Sequence, residues 1–378
     1  MAYPTLRQNE IFSALYNQII SIDTYADNIK GTNSKLVDAA KVDGGLYGDT
    51  KVYIATDCLK SAPWGNDAEA ANLLALHRPP QPKTQTLTID QFRQICLTVD
   101  NYLTKRAFAS EGAFSQFNSA ILGWISDTRK IYDATTYNVF IGTTESAKGK
   151  QTQSVGLASK LSGLSGEEKN RVEAQTIAQF LADLFVEMTD VNRDYNDNGF
   201  LRSVSEDDIK VIFNSKYLNK ITKLDLPTIF HNDSLVSKLG EYKLPARYFG
   251  RAITSADVGA DKVINTSGIY DKTKGTLRVY NEMDVTVGGQ LKHFFAGDEI
   301  PNGAKVKESG GEFQLTDVYL EDPNIICKVI TKLPPYMSAF EVGTSFFNPK
   351  SLTENHYLTF GRSSLDYLKN YPFVTIKA

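Results

Sequence analysis

The chain has 378 residues, enough for about two domains and a sizeable core. It is 42% hydrophobic and 22% charged, which is ordinary for a soluble globular protein. Its formal net charge of -3 excludes a global basic field that would draw the chain onto DNA or an anionic membrane.

Three cysteines, Cys58, Cys96 and Cys327, form no C-x-x-C pair, and an odd number cannot all pair within one chain. A reducing compartment is therefore expected. The N-terminus lacks the basic start and apolar run of a secretory signal, and no apolar run reaches the ~18 residues of a membrane span.

In chain order, residues 1–45 read as an N-terminal arm. They begin with a short amphipathic helix over 9–22, with Phe12, Leu15, Tyr16, Ile19 and Ile20 on one side. The polar, Gly-bearing KGTNSKLVDAAKVDGGLYGD that follows reads as extended chain. Residues 46–105 read as a protruding β-hairpin. One strand is KVYIATDCL and the other TQTLTIDQFRQICLTVD, where Leu87, Ile89, Ile95, Leu97 and Val99 sit at odd positions. Between them Pro79, Pro80 and Pro82 forbid continuous helix or central strand.

Residues 110–142 predict one long amphipathic helix, about 45 Å at 1.5 Å per residue. Its apolar stripe is Phe114, Phe117, Ile121, Trp124, Ile131 and Val139, widened by Ile125 and Tyr132. Ser110 is placed to cap it and Glu111 to favour its first turn. A rod of this length suits a subunit that must span a distance.

A loop rich in Gly, Ser, Thr and Lys follows. A second amphipathic helix spans 168–189, with Val172, Ile177, Phe180, Leu181, Leu184, Phe185 and Met188 as its apolar face. The polar turn 190–199 leads into a strand, DIKVIFNSKYLNKI. Residues 250–311 read as strands and turns, and the chain from 312 onward as mainly β. Helices and strands interleave without βαβ alternation, so the fold class is α+β.

The sharpest chemical motif is Asp194-Tyr-Asn196-Asp-Asn198-Gly199, which matches the first half of an EF-hand loop. Position twelve is Ser205 and not the bidentate Glu, so the reading set against calcium is an Asn/Asp/Gly turn. The Gly149-Lys150 pair resembles a phosphate loop, but Thr144 replaces its first Gly and Gln151 its Ser/Thr. The histidines, His77, His231, His293 and His356, show no metal-ligand spacing. Glu206, Asp207 and Asp208 cap or solvate a strand. Triplets at 232–234 and 265–267 match glycosylation acceptors without a signal peptide to support them. No catalytic residue, cofactor site or metal site is expected, and weight moves from enzyme to structural protein.

Four stretches in chain order carry a resemblance. They are LTVDNYLTKRAFASEGAFSQFNSAILGWISDTRKIYDATTYNVFIG, the helix at 168–189, VSEDDIKVIFNSKYLNKI with LPTIFHND, and FFNPKSLTENHYLTFGRSSLDYLKNYPFVTI. Together they resemble the tailed-bacteriophage major capsid proteins, most closely those of small short-tailed phages (podophages) and their gut-phage relatives. The first looks like the close of that family's extended loop followed by its spine helix, and the second like the helix opening the second half of the subunit. The third is similar to the strand and short helix of the axial domain, with Asn214 at a position where the family often shows Asn. The fourth resembles the closing strands of the peripheral domain, with the Phe347-Asn348-Pro349 step.

The resemblance implies the tailed-phage major-capsid shell fold, shared with encapsulins. Its parts would be the arm (1–45), the extended hairpin loop (46–105), a peripheral domain (106–190 and 312–378, with spine helix 110–142), and an axial domain (191–311). Residues 251–310 match no family motif and read as a loop or small insertion. The implied function is self-assembly into hexamers and pentamers of an icosahedral head enclosing double-stranded DNA. A scaffolding protein and a portal are the implied partners, with non-specific DNA contact and no membrane. The protein would reside in the virion and assemble in the bacterial host cytoplasm. The alternatives are an encapsulin-like nanocompartment shell and a calcium-binding protein centred on Asp194, Asn196 and Asn198.

Overall fold

A computed structural model describes residues 34–45, 50–61, 76, 78–100, 111–145, 150–196, 198–222, 242–252, 268–271, 276–279, 283–287, 290–295, 298–300, 318–363 and 374–378. The expected helix at 9–22, the cap Ser110, the stretch 226–233, both acceptor triplets, His77 and His231 lie outside the described residues.

Helix α1 (Lys35–Ala40) runs directly into strand β1 (Lys41–Asp43). The expectation of extended chain through residue 45 is corrected here. Leu36, Val37 and Ala40 fall on one side of a helical turn and are buried, so local burial outweighs the polar composition.

Strands β2 (Lys51–Ala55) and β3 (Lys83–Leu87) pair antiparallel as the expected hairpin. The long second strand of the sequence reading is divided. Fully buried Leu87 ends β3, and at Asp90 the backbone N–H turns to the Arg362 carbonyl (3.3 Å). Strand β4 (Gln91–Asp100) then belongs to a different sheet.

The long helix is present as α2 (Glu111–Thr143), 33 residues or about 50 Å of rod. After it come β5 (Thr152–Ser154), the short α3 (Leu157–Lys160) and α4 (Gly166–Thr189). Helix α4 has Glu167 and Glu168 in its first turn, where they complement the helix dipole.

The strand expected over 208–221 is only β6 (Lys210–Asn214), and the rest is helix α5 (Ser215–Thr222). Asn214 makes the switch. Its side-chain oxygen accepts the Lys216 N–H (3.1 Å) as a helix N-cap does, and its amide donates to the Ile325 carbonyl (2.9 Å).

Short strands follow: β7 (Tyr242–Leu244), β8 (Gly250–Ala252), β9 (Gly268–Asp271), β10 (Thr276–Val279), β11 (Met283–Val287), β12 (Gln290–Phe294), β13 (Glu299–Ile300) and β14 (Val318–Glu321). The chain closes with β15 (Ile325–Ile330), β16 (Tyr336–Asn348), β17 (Thr353–Arg362) and β18 (Val374–Lys377).

Contacts divide the chain into two units. The first comprises Met1–Asp49, Thr88–Thr135 and Tyr336–Ser364, and the second Thr50–Leu87, Thr136–Pro335 and Leu365–Ala378. Two of their boundaries fall within α2 and before β16.

The first unit is a four-stranded sheet, β1-β16-β17-β4. One face of it packs on α2. Tyr132 meets Phe360 edge-on at 6.2 Å, and the Arg129 guanidinium lies 4.6 Å from the centre of the Phe360 ring. Trp124, read as part of the buried stripe, is 48% exposed, which corrects that placement. Ile125, Tyr132 and Val139 of the expected stripe are buried, and Arg129 joins them, so at Trp124 the core-facing side lies one residue on; the side chains of Phe114, Phe117 and Ile121 lie outside the described ones.

The second unit holds the central sheet β5-β18-β15-β6-β7. Every residue of β15 is buried, as expected for a strand covered on both faces. Ile177, Leu181, Leu184, Phe185 and Met188 of α4 pack with Val211, Phe213 and Val329 in one core. Val374–Lys377 pairs with β15 here, so the chain's last strand does not continue the sheet of β16 and β17. A second sheet, β13-β10-β9-β14-β8, and the hairpin β11-β12 account for the described part of residues 250–321.

Candidate functional site

The loop after α4 carries the EF-hand-like residues, and two of the three, Asp194 and Asn196, already hold partners. The Asn196 side-chain oxygen accepts the Phe200 N–H (2.8 Å), and its amide donates to the Phe200 carbonyl (2.6 Å). The Asp194 carboxylate lies 3.4 Å from the Lys150 ammonium. Asn198 is exposed, and Gly199 takes a left-handed φ of 65°, as a tight Asx-type turn needs. Among the described residues no three His, Cys, Asp or Glu side chains converge on a common point.

The same loop receives a residue that sequence reading did not single out. The Asp57 carboxylate, just beyond β2, accepts the Arg193 guanidinium (2.8 Å) and the Leu201 backbone N–H (2.8 Å). These donors hold its carboxyl well below the usual range, at about 2. Arg202 adds a bond to the Thr56 carbonyl (2.5 Å). Asp57 and Arg193 are 136 positions apart, so no local pattern announces the pair.

Beside them, Lys150 faces Glu187 and Asp194, and the Tyr195 hydroxyl donates to Glu187. Glu187 and Asp194 raise the Lys150 pKa. The Tyr195 bond comes first, and the Lys150 charge after it, in lowering that of Glu187. Partial burial and that same carboxylate push Tyr195 up to about 12.

Each unit also buries charge. In the first, Asp133 accepts from Tyr336 and lies 3.6 Å from Arg129, whose guanidinium donates to Ser338 (2.7 Å). Arg93 and Arg362 both lie against the Tyr132 ring, at 4.8 and 4.6 Å. In the second, Lys328 stands fully buried in the apolar run IICKVI and donates to the Thr144 carbonyl (2.8 Å) and the Thr375 hydroxyl (2.9 Å). Desolvation is the main cause that lowers its pKa, to about 7, with Glu145 opposing. A lysine inside an uninterrupted apolar strand is the sequence signal that would have found it.

The remaining candidates do not assemble into a reactive centre. His293 faces Asp284 (2.8 Å), and His356 lies 3.9 Å from Glu354. Cys58 and Cys96 are exposed thiols, and Cys327 is buried, which pushes its thiol up.

What the structure does present is surface. The cross-strand register places Phe92, Gln94, Thr98, Asn355, Thr359, Val342 and Phe346 on the face of the first unit's sheet that looks away from α2. Side-chain bonds Gln94–Thr359 (3.0 Å) and Thr98–Asn355 (2.7 Å) brace that face, and Phe346 stands on it 63% exposed. On the α2 side, Gly343 and Ser345 carry little side chain, and a cavity of about 370 Å³ opens beside Ile125, Ser126 and Arg129. In the second unit, β2 turns Val52 and Ile54 outward at 54% and 67% exposure, with Thr86 and Thr84 opposite them.

Exposed apolar and β-branched faces of this kind mark association surfaces more than catalytic ones. The family model for Phi29-like phage major capsid protein matches residues 2–364. Two solved structures share the fold. The chain is similar to one in the capsid structure of Staphylococcus phage Andhra, at TM-score 0.53 and 10% identity, covering 87% of this chain and 80% of that one. It is also similar to one in the structure of head fiber and inner core protein gp22 of native bacteriophage P68, at TM-score 0.51 and 10% identity over the same shares, 87% and 80%. A comparison with curated protein sequences finds no match.

Proposed function

The chain belongs to the Phi29-like phage major capsid protein family, and we propose that the outward sheet face of its first unit and its β2–β3 hairpin are the surfaces through which copies join. As a major capsid protein it is a subunit of the phage capsid shell and a component of the virion. The observation that carries this is the family match across residues 2–364. Neither the nanocompartment nor the calcium reading is supported beside it.

The subunit's role is structural and not catalytic. Copies form hexamers and pentamers, and these close an icosahedral shell of a podophage-type head, with one surface reused at each symmetry-related contact. The first unit takes the peripheral role and the second the axial role. A two-stranded ribbon is marginal alone. The hairpin face of Val52 and Ile54 therefore gains its burial against a neighbouring copy, which links assembly to folding. The net charge of -3 suits a shell around double-stranded DNA, since a strongly basic lining would hold the DNA tightly. Assembly takes place in the host cytoplasm with a separate scaffolding protein and a portal.

Electron microscopy of the purified protein, alone and with a candidate scaffold, tests this reading. Shells or rings of repeating subunits are expected. Uniform monomers under every condition would overturn it.

A further inference from the structure

Nothing in the shell function by itself says how a thin hairpin keeps its direction on a subunit that has not yet met its neighbours. The β2–β3 ladder is five residue pairs long and belongs to no larger sheet among the described residues. Such a ribbon has too little of its own burial to hold one orientation. Leu87 is buried at its base and the Lys332 ammonium lies 5.7 Å from the centre of the Tyr53 ring, and the directed polar contacts lie at its far end, where β2 finishes.

Those contacts converge on the loop between α4 and β6. Asp57 takes two donors from it, the Arg193 guanidinium and the Leu201 N–H, while the Thr56 carbonyl takes Arg202. Arg193 is itself oriented by a bond to the Gly199 carbonyl (2.8 Å). The loop is stiffened from within. Asn192 donates to the carbonyls of Glu187 (2.9 Å) and Asp190 (2.8 Å), and a paired bridge joins Asn192 to Arg202. Asn196 closes the turn onto Phe200. The Asn196 oxygen thus points inward to the loop's own donor and the Asp194 carboxylate to Lys150, while the groups that reach the hairpin are N–H and guanidinium. A sequence that imitates a cation loop has become a receiver for a carboxylate.

We propose that the loop at residues 192–202 is a carboxylate clasp for Asp57, which sets the direction in which the hairpin presents Val52 and Ile54 to a neighbouring copy. Asp57 and Arg193 act as positioning residues. That presentation to a neighbour rests on the capsid reading, whereas the clasp is a property of the free subunit. Charge-assisted bonds supply it, and Arg193 is 52% exposed at its side chain, so salt weakens the clasp without touching the core.

The test is a distance measurement by pulsed electron paramagnetic resonance on the full-length free subunit. Spin labels are placed at Ile54→Cys on the hairpin and Val186→Cys on α4, both exposed, with Cys58 and Cys96 replaced by serine. A single narrow distance distribution is expected for the otherwise unchanged chain. Asp57→Asn and, separately, Arg193→Gln should broaden it about twofold or more, with the far-UV circular dichroism unchanged. An unchanged width in both variants would overturn the clasp. Because Arg193 lies at the surface, its variant keeps the test open if Asp57→Asn folds poorly. Whether the parent chain closes into shells is scored separately by microscopy, so failure of the capsid reading and failure of the clasp give different results.

Discussion

The Lys328 side-chain nitrogen donates to the Thr144 carbonyl oxygen at 2.8 Å, tying the middle of the central strand β15 to the residue just past the last turn of the long helix α2. An N–H donor at that place satisfies a carbonyl left open at the end of the helix. Burial lowers the lysine's pKa to about 7 against an unfolded value of 10.5, so between those limits the unfolded chain binds a proton that the native chain does not. Stability contributed by this group therefore rises with pH across that window, by at most about 1.4 kcal/mol per pH unit. Denaturant titrations of the free subunit between about pH 7 and pH 9 should show the rise in the parent and not in Lys328→Met. Cys327 and Tyr336, whose raised values act in the opposite sense, are present in both proteins and drop out of the comparison. Equal pH slopes in the two proteins would refute the assignment.

Trp124 and Ile125 are adjacent on α2 with opposite fates, 48% and 9% exposed. Trp124→Asp should change the stability of the free subunit by no more than about 1 kcal/mol, because the side chain already meets solvent over about half its surface. Ile125→Asp places a carboxylate in the packed face and should cost several kcal/mol. Urea midpoints of the two variants decide this, and a collapse of Trp124→Asp would return the tryptophan to the core.

Gly142 lets α2 approach the backbone at Tyr248. A Cβ there would lie 2.1 Å from the Tyr248 carbonyl oxygen and 2.7 Å from its carbon. Backbone is the obstacle, so no side-chain rotation relieves the clash. Gly142→Ala is expected to destabilise by about 2–4 kcal/mol, despite the better helix propensity of alanine. Thermal unfolding of the variant measures it, and a neutral result would place the two segments farther apart.

Asn214 is fully buried and serves two backbones, the Lys216 N–H and the Ile325 carbonyl. Asn214→Leu keeps the volume but leaves both groups unpaired, at a cost of about 1–3 kcal/mol. Asn214→Asp keeps only the acceptor, so its loss should concentrate on the β6–β15 contact. Hydrogen exchange at the Lys216 amide separates the two: protection is lost in the leucine variant and kept in the aspartate variant.

The elements legible from residue order alone are those whose signal is local and long. Periodic apolar residues over 33 positions specify α2, and those of 166–189 specify α4, because a helix buries one stripe whatever it packs against. The hairpin was legible from β-branched runs around a proline-rich connection, and the α+β class from the interleaving of helices and strands. The order of these elements was enough to carry the family resemblance.

Tertiary structure alone decided which neighbour each element takes. The strand run over 83–100 divides because Asp90 meets Arg362, 272 positions away, and no local period encodes that partner. Trp124 and Ile125 differ only by the roll of α2 on the sheet of β16 and β17, a rotation of one residue that hydrophobicity cannot rank. The candidate site was least legible. Asp194, Asn196 and Asn198 read as ligands for a cation, since Asn, Asp and Gly serve both a calcium loop and a tight turn. The fold spends the oxygens of Asp194 and Asn196 on lysine and backbone donors, and brings Asp57 to Arg193 and Leu201 instead. A carboxylate's partner is set by three-dimensional proximity of charge and N–H groups, and that exists only once the chain has folded.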